Sequence, residues 1–123
     1  MPAKFMSVQN YKIATYVPEE ILENLLDALK AVTVNEIGAY RNCVTWYPVK
    51  SIWTSLEQAE PYIGKAGEES RESEIKLEFL CQREKVSECI RAIRRVHPYQ
   101  EPVIDILPMI TAREWEDSVE RTL

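Results

Sequence analysis

Two hydrophobic periods take turns along this chain. Tyr11-Lys12-Ile13-Ala14-Thr15-Tyr16-Val17 alternates and is rich in β-formers. It predicts a strand with Tyr11, Ile13, Thr15 and Val17 on one face and Lys12, Ala14 and Tyr16 on the other. The period then changes. Ile21, Leu22, Leu25, Leu26 and Leu29 form a stripe at helical spacing, so a helix is expected over about 19–31. Pro18 suits its first position, where the missing N–H costs nothing, and Glu19 and Glu20 suit the positive end of the helix dipole. After a connection at 34–38, residues 39–56 are β-prone but contain Pro48. They read as one long edge strand with a bulge or bend at Pro48, or as two short strands.

Residues 57–73 are acidic, hold Pro61, Gly64 and Gly67, and read as a long mobile or binding loop. Glu74-Ile75-Lys76-Leu77-Glu78-Phe79-Leu80-Cys81 is the cleanest alternation in the chain. Ile75, Leu77, Phe79 and Cys81 should face the core, with Glu74, Lys76 and Glu78 on the opposite face. A second amphipathic helix is expected over 83–96, with Val86, Cys89, Ile90, Ile93 and Val96 buried. The last strand is expected over 103–107. Thr111-Ala112-Arg113-Glu114 has the form of a capping box, opening a short helix to about residue 120 with Ala112, Trp115 and Val119 on one face.

The order strand, helix, strand, strand, helix, strand predicts an α+β, ferredoxin-like (βαββαβ) domain. Its four-stranded antiparallel sheet carries two helices on one face and a short C-terminal helix is added. Right-handed crossovers place the first and third strands centrally and the other two at the edges. The two strand–helix halves suggest a pseudo-duplication. The expectation is one domain over 1–123, with its core over 11–108 and the terminal helix over 111–121.

Composition narrows the function classes. The 123 residues carry a formal charge of -5 and no basic stripe, which disfavours nucleic acid, since phosphate neutralisation supplies most of that affinity. No apolar run is long enough to span a bilayer, and the first seven residues lack the apolar core of a signal peptide. A cytoplasmic location is therefore expected, with no membrane partner. Cys43, Cys81 and Cys89 are odd in number and lack C-x-x-C spacing. They read as reduced thiols, Cys81 and Cys89 in the core, rather than a disulfide framework or zinc site.

Candidate chemistry gathers at His97-Pro98-Tyr99-Gln100-Glu101-Pro102, which contains the one histidine of the sequence. Pro98 disfavours helical geometry at His97, so the second helix must end there. Two readings stand: a turn whose His97, Tyr99 and Glu101 face a small ligand or divalent ion, or a corner in which His97 caps the helix and Tyr99 packs beneath. No nucleophile is marked beside His97, so no catalytic set is expected. Gly64-Lys65-Ala66-Gly67 has residues that can cradle phosphate, but Glu60, Glu68, Glu69 and Glu72 around it argue against a polyphosphate.

Read together, Gly38-Ala39-Tyr40-Arg41-Asn42-Cys43, Pro61-Tyr62-Ile63-Gly64-Lys65-Ala66-Gly67 and His97-Pro98-Tyr99-Gln100-Glu101-Pro102 resemble the domain inserted in many Nif-three-like proteins. That family is also named type-two GTP cyclohydrolase. Its motifs there are G-x-Y-x-x-C, P-x-I-G-x-x-G and H-P-Y-E-E-P, and Gln100 departs from the last. The resemblance covers about Tyr11 to Pro108. The His-Pro-Tyr turn and the Trp-bearing terminal helix also resemble CutA proteins, of PII-like fold.

The resemblance implies a PII/CutA-like fold, a homo-oligomer with a trimer ahead of a dimer, no cofactor, and a non-catalytic binding or regulatory module. The alternative it offers is a small-ligand or divalent-metal-responsive protein. The motifs suggest a candidate ligand site of His97, Tyr99 and Glu101 with Gly38, Tyr40 and Cys43. The paired-metal site of full-length Nif-three-like proteins needs several histidines, which this sequence does not supply, so no metal site of that kind is expected.

Overall fold

The computed structural model describes residues 8–32 and 37–122. The chain runs β1 (Asn10–Val17), α1 (Leu22–Val32), β2 (Val44–Thr54), β3 (Glu69–Gln82), α2 (Val86–Val96), β4 (Ile104–Met109) and α3 (Ala112–Thr122). The strands form one antiparallel sheet in the order β2-β3-β1-β4. The first and third strands are thus central, as the crossover rule requires. The predicted connection at 34–38 lies partly outside the described residues.

Both halves enter their helix in the same way. A single 3-10 turn, Glu19–Ile21 or Arg83–Lys85, precedes α1 or α2, and each helix then has 11 residues. This repetition gives the pseudo-duplication a structural form. The apolar stripes of both helices press on the inward face of the sheet. Ile13, Val17, Leu25, Leu29, Leu77 and Ile93 are fully buried there, with Phe79, Cys81 and Cys89. Each large aliphatic side chain so buried stabilises the fold by about 2 kcal/mol. Cys81 and Cys89 are free thiols turned toward each other in this core, Sγ to Sγ 3.5 Å.

Two expectations need correction. β2 is one unbroken strand. Its ladder with β3 passes through Tyr47↔Lys76, Pro48↔Ile75 and Val49↔Glu74 without a bulge. An edge strand can hold a proline because the missing N–H can lie on its unpaired side. Second, β3 begins at Glu69 rather than Glu74, so residues 69–73, assigned to a loop, pair with Lys50–Thr54. The alternation there is hidden because the sequence is polar on both faces. The aromatic residues of β2 do not share a face. Trp46 pairs with inward-facing Leu77, and Ile52 lies at the same parity, whereas Tyr47, Val49 and Trp53 point to the open face. Trp46 and Ile52 remain 46% and 55% exposed because the helices do not reach over the edge strand.

The β2–β3 ribbon outruns the rest of the sheet. The β1–β3 ladder stops at Val17↔Ile75, while β2 and β3 continue to Thr54↔Glu69. Beyond Ile75, therefore, one side of β3 has no strand. Residues 97–103 fill that place. At the other end of the sheet the capping box closes α3. The Thr111 and Glu114 side chains each accept a bond from the other's backbone N–H, at 3.2 Å, and Asn10 donates to the same Glu114 carboxylate. The bond from the Thr111 N–H is the main cause that holds the Glu114 carboxyl below its usual pKa. No helix among the described residues is long and apolar enough to cross a membrane.

Candidate functional site

The turn after α2 is built on His97. Its backbone is extended, with φ -74° and ψ 126°, and its N–H closes the helix on the Ile93 carbonyl at 2.8 Å. Pro98 enforces that break. The ring is turned inward and only 7% exposed. Nε2 lies 2.6 Å from the Tyr16 carbonyl oxygen, and Nδ1 accepts the Tyr99 N–H at 3.2 Å. A carbonyl only accepts, so Nε2 carries the proton and the Nδ1 lone pair takes the Tyr99 N–H. Neutral imidazole satisfies both contacts; the imidazolium would set a proton against the Tyr99 N–H.

Burial is the main cause that lowers the His97 pKa from its ordinary 6.5, against the Tyr16 carbonyl and Glu74, which act to raise it. The unfolded chain takes up a proton near pH 6.5, and the folded chain does so only at lower pH. Folding stability should therefore be complete above about pH 6.5. It should fall by about 1.4 kcal/mol per pH unit below that, until the folded-state pKa is passed. Denaturant midpoints across this window check the slope, which His97→Gln should remove. A wild-type midpoint that is flat there would contradict the neutral, buried imidazole.

Tyr99 turns the other way and plugs the unpaired side of β3. Its hydroxyl donates to Glu74 Oε2 at 2.6 Å. Its ring lies 4.7 Å from the His97 ring, 5.9 Å from Trp53 and 6.1 Å from Tyr62, all tilted. Burial, then the bond to Glu74, pushes the phenol pKa well up, so Tyr99 stays a donor. Glu74, expected on the face opposite the core, is only 5% exposed, because the turn covers it.

The loop between β2 and β3 folds back over this corner. Its base is closed by Ser55 N–H to the Glu68 carbonyl and Gly67 N–H to the Ser55 carbonyl. Its far side is tied to the turn by Glu60 N–H donating to Gln100 Oε1 at 2.9 Å. Gly64 and Gly67 both have positive φ, +86° and +80°. A side chain at Gly67 would meet the Glu57 carboxylate, so an acidic group, not a phosphate, faces this glycine.

Between loop, ribbon and turn lies a cleft of about 570 Å³, with Trp53, Tyr62, Tyr99, Glu74, Glu101 and Val103 on its wall. Tyr99 and Glu101 of the sequence-derived set are therefore brought to one cleft, with His97 directly beneath Tyr99. Gly38, Tyr40 and Cys43 are not. Ile37 and Tyr40 bridge to each other around Gly38, and Cys43 immediately precedes Val44, which pairs with Phe79. Phe79 and Glu74 are five residues apart on β3, roughly 17 Å along the strand. The G-x-Y-x-x-C segment lies away from this cleft because of the direction of β2: its start and its end lie at opposite ends of the ribbon.

Glu74, Trp53 and Tyr62 are wall residues the sequence reading did not select. Glu74 had one available signal, its place in the register beside the ribbon end, but a carboxylate in an alternating strand reads as solvated. Among the described residues, no three or more His, Cys, Asp or Glu side chains come together in a group that could hold a metal ion.

No protein-family model matches the chain. Over 105 residues it is 32% identical to a GTP cyclohydrolase 1 type 2 homolog of Staphylococcus epidermidis, a match covering 85% of this chain and 29% of that protein. It is 33% identical over 98 residues to the homolog of Bacillus subtilis, covering 80% and 26%. The chain thus spans less than a third of the length of these curated relatives. Among solved structures, a Bacillus cereus protein related to NIF3 superposes with a TM-score of 0.71 at 21% identity, over 85% of this chain and 26% of that one. The periplasmic divalent cation tolerance protein CutA of Archaeoglobus fulgidus superposes at 0.64 and 20% identity, over 92% and 97%. The fold expected from the sequence is the one these structures share.

Proposed function

We propose that this chain, a relative of one segment of the GTP cyclohydrolase 1 type 2 homologues with the fold of a NIF3-related protein and of CutA, is a non-catalytic, self-associating module that binds a small ligand. The observation that carries this reading is the state of His97. Both ring nitrogens are engaged by backbone groups. A general base needs a free lone pair within reach of its substrate, and this one is spent on the Tyr99 N–H. What the turn leaves open is a cleft with an aromatic wall, which suits binding. The cyclohydrolase activity in the relatives' name concerns proteins about three times as long and is not transferred. The name of the CutA structure, divalent cation tolerance protein, supports a second reading in which the ligand is a metal ion. Glu74 and Glu101 would then be its first ligands.

Self-association is supported by the surface. Ile52 and Trp46 along one edge strand, Leu107 and Ile106 along the other, and Trp115 of α3, 64% exposed, place apolar groups on both edges and the terminal helix. Such a distribution carries a cost in water that assembly removes. On the open face, the Lys76 ammonium sits over the rings of Tyr16 and Tyr47, at 5.5 and 5.9 Å, giving that face a partly apolar character too. Packing open faces inward would form a trimer. Light scattering at micromolar concentration is expected to give three times the 14.3 kDa chain mass. Twice that mass would refute the trimer only, and a stable monomer would refute self-association. Calorimetry with divalent ions separates the two ligand readings: heat of binding from a divalent metal, lost in Glu74→Gln, would favour the second.

A further inference from the structure

The wall of the cleft is uneven in charge. Its acidic side chains are Glu74 and Glu101, and neither lysine nor arginine contributes to it. A third carboxylate stands close by, since the Tyr62 hydroxyl donates to Glu20 Oε1 at 3.4 Å. Glu74 is the focus. It is 5% exposed yet lines the cleft, and Tyr99 supplies one hydrogen bond to it. Among the described residues no cation pairs with it; the four ion pairs lie elsewhere, on Lys30, Arg71, Arg83 and Lys85. A carboxylate has about four lone-pair sites, and one phenol neither fills them nor balances the charge. Burying such a group is costly unless a counter-charge arrives. Lining the same cleft are three rings tilted to one another, Trp53, Tyr62 and Tyr99, whose π-faces attract cations.

We infer that the cleft takes a small organic cation with an apolar body, an alkyl- or arylalkylammonium, whose N–H groups bond to Glu74 while its charge sits among Trp53, Tyr62 and Tyr99. This rests on the reading that the cleft binds a small molecule. The apolar body has Ile52, Leu56, Ile63 and Val103 to lie against. An anion of the same shape would meet carboxylates with no compensating cation, and a neutral ligand would leave Glu74 without a counter-charge.

Three probes of one shape test it: benzylammonium, benzyl alcohol and benzoate, each titrated by calorimetry into the full chain at neutral pH. Benzylammonium is expected to bind about tenfold more tightly than benzyl alcohol, with benzoate weakest. Added salt should weaken the ammonium alone. Glu74→Gln keeps an acceptor for Tyr99 and should bring benzylammonium down to the level of the alcohol. Trp53→Leu, which leaves the carboxylate in place, should weaken benzylammonium several-fold and gives a second reading if the first variant folds poorly. Benzoate or benzyl alcohol binding as tightly as the ammonium, or an ammonium preference that survives Glu74→Gln, would overturn the assignment of charge while leaving a ligand cleft. Silence from all three probes would overturn the cleft reading as well.

Discussion

His97→Ala should lower folding stability by about 3 kcal/mol, one of the two largest effects expected of any substitution near the cleft. The change strands two buried backbone groups at once, the Tyr16 carbonyl and the Tyr99 N–H. Each costs about 1–3 kcal/mol when left without a partner, and the space vacated by the ring adds to this. His97→Gln can still donate to the Tyr16 carbonyl and should fold, losing only about 1 kcal/mol. Urea denaturation of the three proteins decides the matter. If alanine proves as stable as histidine, the ring does not clip the turn to β1, and a role in chemistry would have to be reconsidered.

The second large effect belongs to Tyr99→Phe. The substitution removes one oxygen and leaves the ring contacts in place, but it leaves a buried carboxylate without its donor. The expected loss is about 2 kcal/mol, the range for hydrogen bonds to charged groups. Glu74→Gln alone should cost less, because an amide oxygen still accepts from the phenol. In the double variant the losses should fail to add, with a coupling of about 1 kcal/mol or more. Additive losses would show that the 2.6 Å contact does not hold the corner together.

The sequence speaks unevenly about this molecule. Elements whose two faces differ strongly were plain, and α1, α2 and β1 lie where their periods place them. The start of β3 was not, because Glu69-Ser70-Arg71-Glu72-Ser73 is polar on both faces and pairs through its backbone. The faces of β2 were not legible for a related reason. Nothing in a lone strand says which parity meets the helices; that is settled by register with Leu77. Of the site, the proline-locked turn was legible because Pro98 acts locally. Glu74 and Trp53 were not, since what buries them is the meeting of a ribbon end with a turn 25 residues or more away in sequence. Charge in a strand predicts solvent until a distant segment covers it.

The strand order also has a consequence for how the chain is made. A ribosome delivers β1 first, then β2 and β3, whose ladder joins neighbours in sequence and closes cheaply. β1 receives its second neighbour only when β4 emerges, as Asn10↔Met109 and Thr15↔Ile104 show. Until then the growing chain carries β1, with its Ile13 and Val17, as a bare edge, a template for wrong pairing. Arrival of the His97 turn ends this interval, because it fixes the point from which β4 departs, and Thr15 Oγ1 donates to the Val103 carbonyl at 2.7 Å just ahead of the strand. A weakened turn should thus show itself during synthesis, as aggregates of nascent chains, before it shows in the finished protein.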